Sequence, residues 1–265
     1  MIETKERIQL PMMALRGLTV FPNMAISFPV GRQKSLDALE AADEGDKRIF
    51  LVAQRDPEDA SPEQMGLYEF GTVATIKQIL KLPGNMTHVI VEGVIRGRLA
   101  TIQHKRKCEY AEITTIAQDF PELPEVHTAA EMRIAQDLYE EYAKFVPNTT
   151  AVDLLPNVLA AGKPGKLADV IGAGLEISFD RKQKILEILN PYDRLQAVMD
   201  IMCYEQQVLR VKREIEAKTK DAIDKNQREY FLREELKAIN EELGDKSGVG
   251  EEINGYREKM KKLNM

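Results

Sequence analysis

The sequence predicts an α+β protein in three parts: a mostly β amino-terminal domain, a helical bundle, and a long coiled-coil-type helix. Three observations predict it. Two-residue alternation of apolar side chains runs through residues 1–117, three- and four-residue spacing replaces it after Phe120, and from Pro191 neither proline nor glycine recurs before Gly244. The domains that follow are 1–117, 118–190 and 191–244, with 245–265 as a linker and the start of a further helix.

In the first part, Gln33 to Ala42 reads as a short amphipathic helix and Arg48 to Ala53 as a strand. Gly71 to Leu82 places Ile76, Leu80 and Leu82 on one face and Lys77, Ile79 and Lys81 on the other. Pro83-Gly84-Asn85 then supplies turn chemistry. Val89, Val91 and Ile95 resume the period, so Gly71 to Arg98 reads as a long antiparallel hairpin with one buried face. Cys108 to Ile116 reads as another strand.

Pro121 and Pro124 break this pattern. Met132, Ala135, Leu138, Tyr139 and Tyr142 then fall on one side of a helix. Pro147, Pro156, Pro164 and the Gly172/Gly174 pair limit the helices to about 127–145, 151–161, 165–174 and 179–189. In the third part Asn190 suits an N-cap and Pro191 the first helical position. Steps of three and four residues visit Ile201, Tyr204, Val208, Val211, Ile215, Lys218, Ala222, Lys225, Glu229, Leu232, Leu236, Ile239 and Leu243. Ten of these thirteen are apolar, the pattern of a helix that wraps another helix, with a polar interruption at Lys218, Lys225 and Glu229.

Composition excludes several functions. Lys plus Arg is 37 and Asp plus Glu is 43, a net charge of −6, so no global field draws the chain to nucleic acid or anionic lipid. The amino terminus lacks a secretory pattern and the longest early uncharged run is broken by Pro22 and Pro29, so a cytoplasmic protein without a membrane span is expected, its two cysteines reduced. Gly162-Lys163-Pro164-Gly165-Lys166-Leu167 has the wrong spacing for a phosphate loop, and Gly172-Ala173-Gly174 reads as a helix end. The three histidines share no metal spacing. His104 and Cys108, placed on one strand, would lie about 13 Å apart, so no metal site is assigned. No catalytic residue is assigned, and no cofactor.

Two surfaces stand out. Met12, Met13, Leu18, Phe21, Met24 and Phe28 form a soft apolar cluster that reads either as core or as an adaptable substrate-binding face. Lys105-Arg106-Lys107, with Arg96 and Arg98, could grip phosphate, but residues 1–117 carry 15 basic and 15 acidic side chains, and nucleic acid is a disfavoured partner.

Three stretches resemble the amino-terminal part of the Lon family of ATP-dependent proteases (endopeptidase La). Leu10 to Arg32 is similar to that family's opening pattern of apolar run, Leu-Arg, Phe-Pro and Val-Gly-Arg. Phe70 to Leu99 resembles its central hairpin, and Gln227 to Asp245 its long helix. Ala14 replaces a frequent proline and Pro29 lies two places late. The resemblance implies a PUA-like β domain, a helical bundle and a coiled helix that recognise unfolded or tagged proteins and support a homohexamer. It also implies an ATPase ring using ATP and magnesium and a Ser-Lys protease chamber, neither of which lies in these residues. A nucleic-acid-binding PUA-like module and a purely structural coiled-coil scaffold are the alternatives.

Overall fold

Apolar residues at both phases of the two-residue period let one sheet bury both of its faces. The computed structural model describes residues 7–82, 86–105, 108–116, 120, 124–146, 150–247 and 249–262. Its strands are β1 (Arg7–Leu15), β2 (Ala25–Val30), β3 (Arg48–Ala53), β4 (Phe70–Leu82), β5 (Met86–Lys105) and β6 (Cys108–Thr115), with helix α1 (Gln33–Asp43) between β2 and β3. The sheet order is β2-β5-β4-β3-β1-β6, and β6 pairs again with the far half of β5, so the sheet closes into a barrel. Only β1 and β3 run parallel, Met12 opposite Phe50, which requires the crossover through β2 and α1.

Successive residues of β3 feed two cores. Phe50 and Val52 join Met12, Val73 and Ile113 on one face, while Ile49 and Leu51 join Met13, Val91 and the α1 residue Leu39 on the other. Each such side chain contributes on the order of 1.5–3 kcal/mol by leaving water.

Two β-bulges correct the expected faces of the hairpin. An extra residue at Lys77 lets Ile76 and Ile79 both pack on the α1-side core, leaving Leu80 39% exposed. A second, at Val94, sends Ile95 to the core opposite that of Val89 and Val91. β5 also continues past Arg98 to Lys105, so His104 and Cys108 stand on two strands of a hairpin, not on one as expected.

The helices are α2 (Glu125–Phe145), α3 (Thr150–Asp153), α4 (Leu155–Leu159), α5 (Pro164–Gly174), α6 (Phe179–Glu187), α7 (Pro191–Ser247) and α8 (Val249–Lys262). The single helix expected over 151–161 is two, because Pro156 fits only the first turn of α4. Asn190 caps α7, its Oδ1 accepting from the Tyr192 N–H at 3.0 Å. Gly244 does not end that helix, so the linker expected from Asp245 is corrected: one glycine costs about 1 kcal/mol, too little to stop a long helix.

By contacts the chain forms two units, Met1–Gln206 and Gln207–Met265. The first takes in the barrel, α2 to α6 and the start of α7 together. Leu195, Val198 and Met202 of α7 are buried within it, and Gln206 donates to the Leu138 carbonyl at 2.9 Å. In the second, every side chain whose burial is described is exposed except Leu209, which is half-buried.

Candidate functional site

Two depressions of the first unit bear on binding. The larger is set by the bulge at Val94. Gly93, beside it, admits no side chain, since a Cβ there would lie 2.2 Å from the Phe21 carbonyl oxygen. That close approach allows two backbone bonds, Asn23 N–H to Gly93 O and Gly93 N–H to Met24 O, both 2.8 Å. Asn23 turns the chain with φ of 60°, which asparagine tolerates. Val94 is pushed outward to 52% exposure and, with Pro22 and Ile95, walls a cleft of about 910 Å³. Met132 of α2, Lys163 and Lys166 at the start of α5, and Tyr192 line the other side. Apolar walls beside two ammonium groups and the Glu125 carboxylate suit extended polypeptide, whose side chains and backbone present both chemistries.

The smaller depression is a groove where the ends of β1 and β2 meet the start of α1. Two adjoining cavities of about 350 and 400 Å³ share Met13, Ala14, Arg32 and Ser35. One extends past Lys34 and Glu109, the other past Arg16, Leu18 and Phe28. Gln54, fully buried, holds Arg32 by accepting from its Nη2 at 2.9 Å. The Gln54 amide is itself fixed by donating to the Asp56 and Asp59 carbonyls.

The expected binding face is largely interior. Met12 and Met13 are 3% exposed, Phe21 1% and Phe28 8%, because adjacent methionines on one strand enter opposite cores and Phe21 packs toward Gly172 of α5. Only Leu18 and Met24 are half-buried. The structure therefore scatters the six: Met12, Met13, Leu18 and Phe28 back the groove, and Met24 lines a separate cavity of about 230 Å³ against α4 and α5.

The phosphate grip that the sequence allowed but disfavoured is not assembled among the described residues. Arg96 is fully buried on Asp169, Arg98 donates to Glu69 at 2.7 Å, and Lys105 donates to Gln9 and lies 5.4 Å from the Tyr110 ring centre. Arg106 and Lys107 lie outside the described residues. Among the described residues no group of three or more His, Cys, Asp or Glu side chains could hold a metal ion, and no helix is long and apolar enough to cross a membrane. Sequence reasoning missed Val94, Arg16 and Arg32. The only signal for Val94 was the run Gly93-Val94-Ile95, which breaks the alternation.

Over about three quarters of the chain this fold matches that of solved Lon N-terminal domains. The solved N-terminal domain of a Mycobacterium avium complex Lon protease superposes with a TM-score of 0.60 at 18% identity, covering 74% of this chain and 98% of its own. That of Xanthomonas campestris gives 0.52 at 14% identity, covering 73% and 98%. The model of the ATP-dependent protease La (Lon) substrate-binding domain matches residues 9–204, and the chain belongs to that family. Lon protease of Clostridium acetobutylicum is 39% identical over 97% of this chain, and Lon protease 1 of Bacillus subtilis 34% over 97%. The chain spans about a third of the length of these curated relatives, 33% in both cases.

Proposed function

We propose that this chain is the substrate-recognition and oligomer-supporting part of an ATP-dependent Lon serine protease. It binds unfolded or tagged polypeptides and presents them to an ATPase ring, which uses ATP and magnesium, and to a protease chamber formed elsewhere. The observation that carries this reading is the wide cleft at Val94, whose apolar walls are held open by the Gly93–Phe21 approach. Misfolded and short-lived regulatory proteins offer the extended apolar segments such a cleft accepts. Self-association toward a homohexamer is assigned to the seam of α7, at Ile201, Tyr204, Val208, Val211, Ile215, Leu232, Leu236, Ile239 and Leu243, and the cytoplasm is the proposed compartment.

Fluorescence anisotropy with a reduced, carboxymethylated protein tests the reading. The 265-residue chain binds it, and Val94→Asp with Met132→Glu weakens binding about tenfold while the fold, followed by circular dichroism, is kept. Absence of binding by the unaltered chain overturns the reading.

A further inference from the structure

The groove at the start of α1 contains a feature that capture of polypeptide in general does not use. Arg16 ends the Leu-Arg pair and Arg32 the Val-Gly-Arg triplet, 16 positions apart, yet both guanidinium groups come to one wall. Arg16 donates from Nη2 to the Asp59 carbonyl at 3.2 Å, the same oxygen that receives the Gln54 amide, while Gln54 receives Arg32. Among the described residues neither arginine makes an ion pair within 4 Å. By contrast the neighbouring Lys34 is committed to Glu109 at 3.1 Å. Burial, and after it the charge of Arg16, hold the Arg32 guanidinium below its ordinary pKa, against the opposing charge of Asp59. Two cations on one cavity wall, each anchored by a single neutral oxygen, keep further N–H groups with which to receive an anion.

Three further facts narrow the anion. Arg32 is also the residue before α1, a helix whose start has no side-chain cap and whose first turn has no acidic residue. Next, Arg16 and Arg32 line the same cavity as Leu18, Phe28 and Pro29, so charge and apolar surface are contiguous. Lastly, a Cβ on Gly31 would meet nothing within 4 Å, so the backbone between Val30 and Arg32 is open to an approaching chain. A phosphate polymer would want a track of unshielded cations, and here Lys34 is neutralised and Asp59 lies close. An internal Asp or Glu spends its side chain on the carboxylate, so any apolar side chain must come from a neighbouring residue. The C-terminal residue of a polypeptide, when apolar, carries both chemistries on a single Cα.

We propose that this groove binds the free C-terminal end of polypeptides that finish on an apolar residue, the carboxylate lying between Arg16 and Arg32 and the side chain against Leu18 and Pro29. The proposal rests on the polypeptide-binding reading above, and names one class of substrate end that it selects.

The test uses the full 265-residue chain and a fluorescein-labelled ten-residue peptide ending in leucine, made as the free acid and as the amide. A third peptide has an amidated end and an internal glutamate. The acid binds at least tenfold more tightly than either amidated peptide. Arg16→Gln, at an exposed side chain that the fold does not need, reduces that ratio several-fold, and Arg32→Gln brings it to about one. Arg32→Lys, which keeps the charge without the fork, restores only part. Val94→Asp weakens binding of the carboxymethylated protein and leaves the acid-to-amide ratio unchanged. Equal binding of acid and amide by a chain that still holds the unfolded protein overturns the groove proposal alone. Loss of both overturns the polypeptide reading with it. Equal preference for the internal glutamate, or a ratio unaffected by Arg32→Gln, also overturns the groove proposal.

Discussion

Arg96 of β5 and Asp169 of α5 meet with both side chains at zero exposure, Nη1 of the arginine donating to Oδ2 at 2.9 Å. Its second nitrogen, Nη2, bonds the other carboxylate oxygen, and Nε donates to the Leu186 carbonyl at 2.9 Å. Arg194 of α7 brings Nε to 3.0 Å from the same carboxylate, and its Nη1 donates to the carbonyls of Ile188 and Leu189. Asp169 thus joins the barrel to α5 and α7, and Arg96 through Leu186 adds α6. Burial pulls the Arg194 pKa down to about 10, against the charge of Asp169.

Asp169→Asn leaves two buried guanidinium groups without their counter-charge. Breaking a buried ion pair from one side costs about 3–5 kcal/mol. The urea midpoint should fall accordingly, with the melting of barrel and helices still coincident. A change under about 1 kcal/mol would mean that the carbonyls alone hold the arginines. Replacing Arg98, an exposed cation whose partner Glu69 is also exposed, should cost less than 1 kcal/mol in the same assay.

This junction was invisible in the sequence for a physical reason. Arg96 reads as a surface cation because the residue that buries it lies 73 positions away. What was legible depended on neighbours in the chain: the hairpin around residues 83–85, the strand over Arg48–Ala53, and the Asn190 cap. The bulges were not, because Lys77 and Val94 are extruded by the register of partner strands, and at Val94 by the backbone of Phe21 pressing on Gly93. That most of the methionine and phenylalanine cluster lies inside has the same kind of reason. Composition marks Met12 and Met13 as adaptable, but strand alternation in a two-faced sheet decides that each fills a core.

Tyr139 lies fully buried in the helical part with no partner for its hydroxyl among the described residues, and burial raises its pKa above the ordinary phenol range. Gly174 exists to admit it: a Cβ there would lie 2.0 Å from that oxygen. Removing an unsatisfied buried polar group recovers its desolvation cost, about 1–3 kcal/mol. Tyr139→Phe should therefore raise the thermal midpoint, whereas Gly174→Ala should lower it by overpacking, by about 1–3 kcal/mol. In the Tyr139→Phe background the cost of Gly174→Ala should shrink, because the oxygen it strikes is gone. Equal costs in both backgrounds would place the clash elsewhere.

The two cysteines should part company under alkylation. Cys108 is 7% exposed and burial pushes its thiol up, while Cys203 is exposed on α7. Since the thiolate is the reacting species, iodoacetamide at neutral pH should label Cys203 within minutes and leave Cys108 untouched until urea opens the barrel. Mass spectrometry of the digested chain reads both sites, and early labelling of Cys108 would show that the α1-side core opens locally.

The last prediction concerns the second unit. Leu232, Leu236, Ile239 and Leu243 recur at four- and three-residue steps and are 52%, 60%, 46% and 59% exposed. Four large apolar side chains in line on one stripe of a helix gain by meeting a second such stripe, roughly 0.8 kcal/mol for each CH₂ removed from water. The polar steps at Lys225 and Glu229 mark where that stripe begins. Sedimentation of the full chain should therefore show concentration-dependent association. Leu236→Lys with Leu243→Lys should abolish it without moving the melting point of the first unit, because neither residue belongs to it. Glu229→Leu should strengthen association by extending the stripe one step. A chain that sediments as a monomer at every concentration, or a Glu229→Leu variant no different from its parent, removes the seam from the account of self-association.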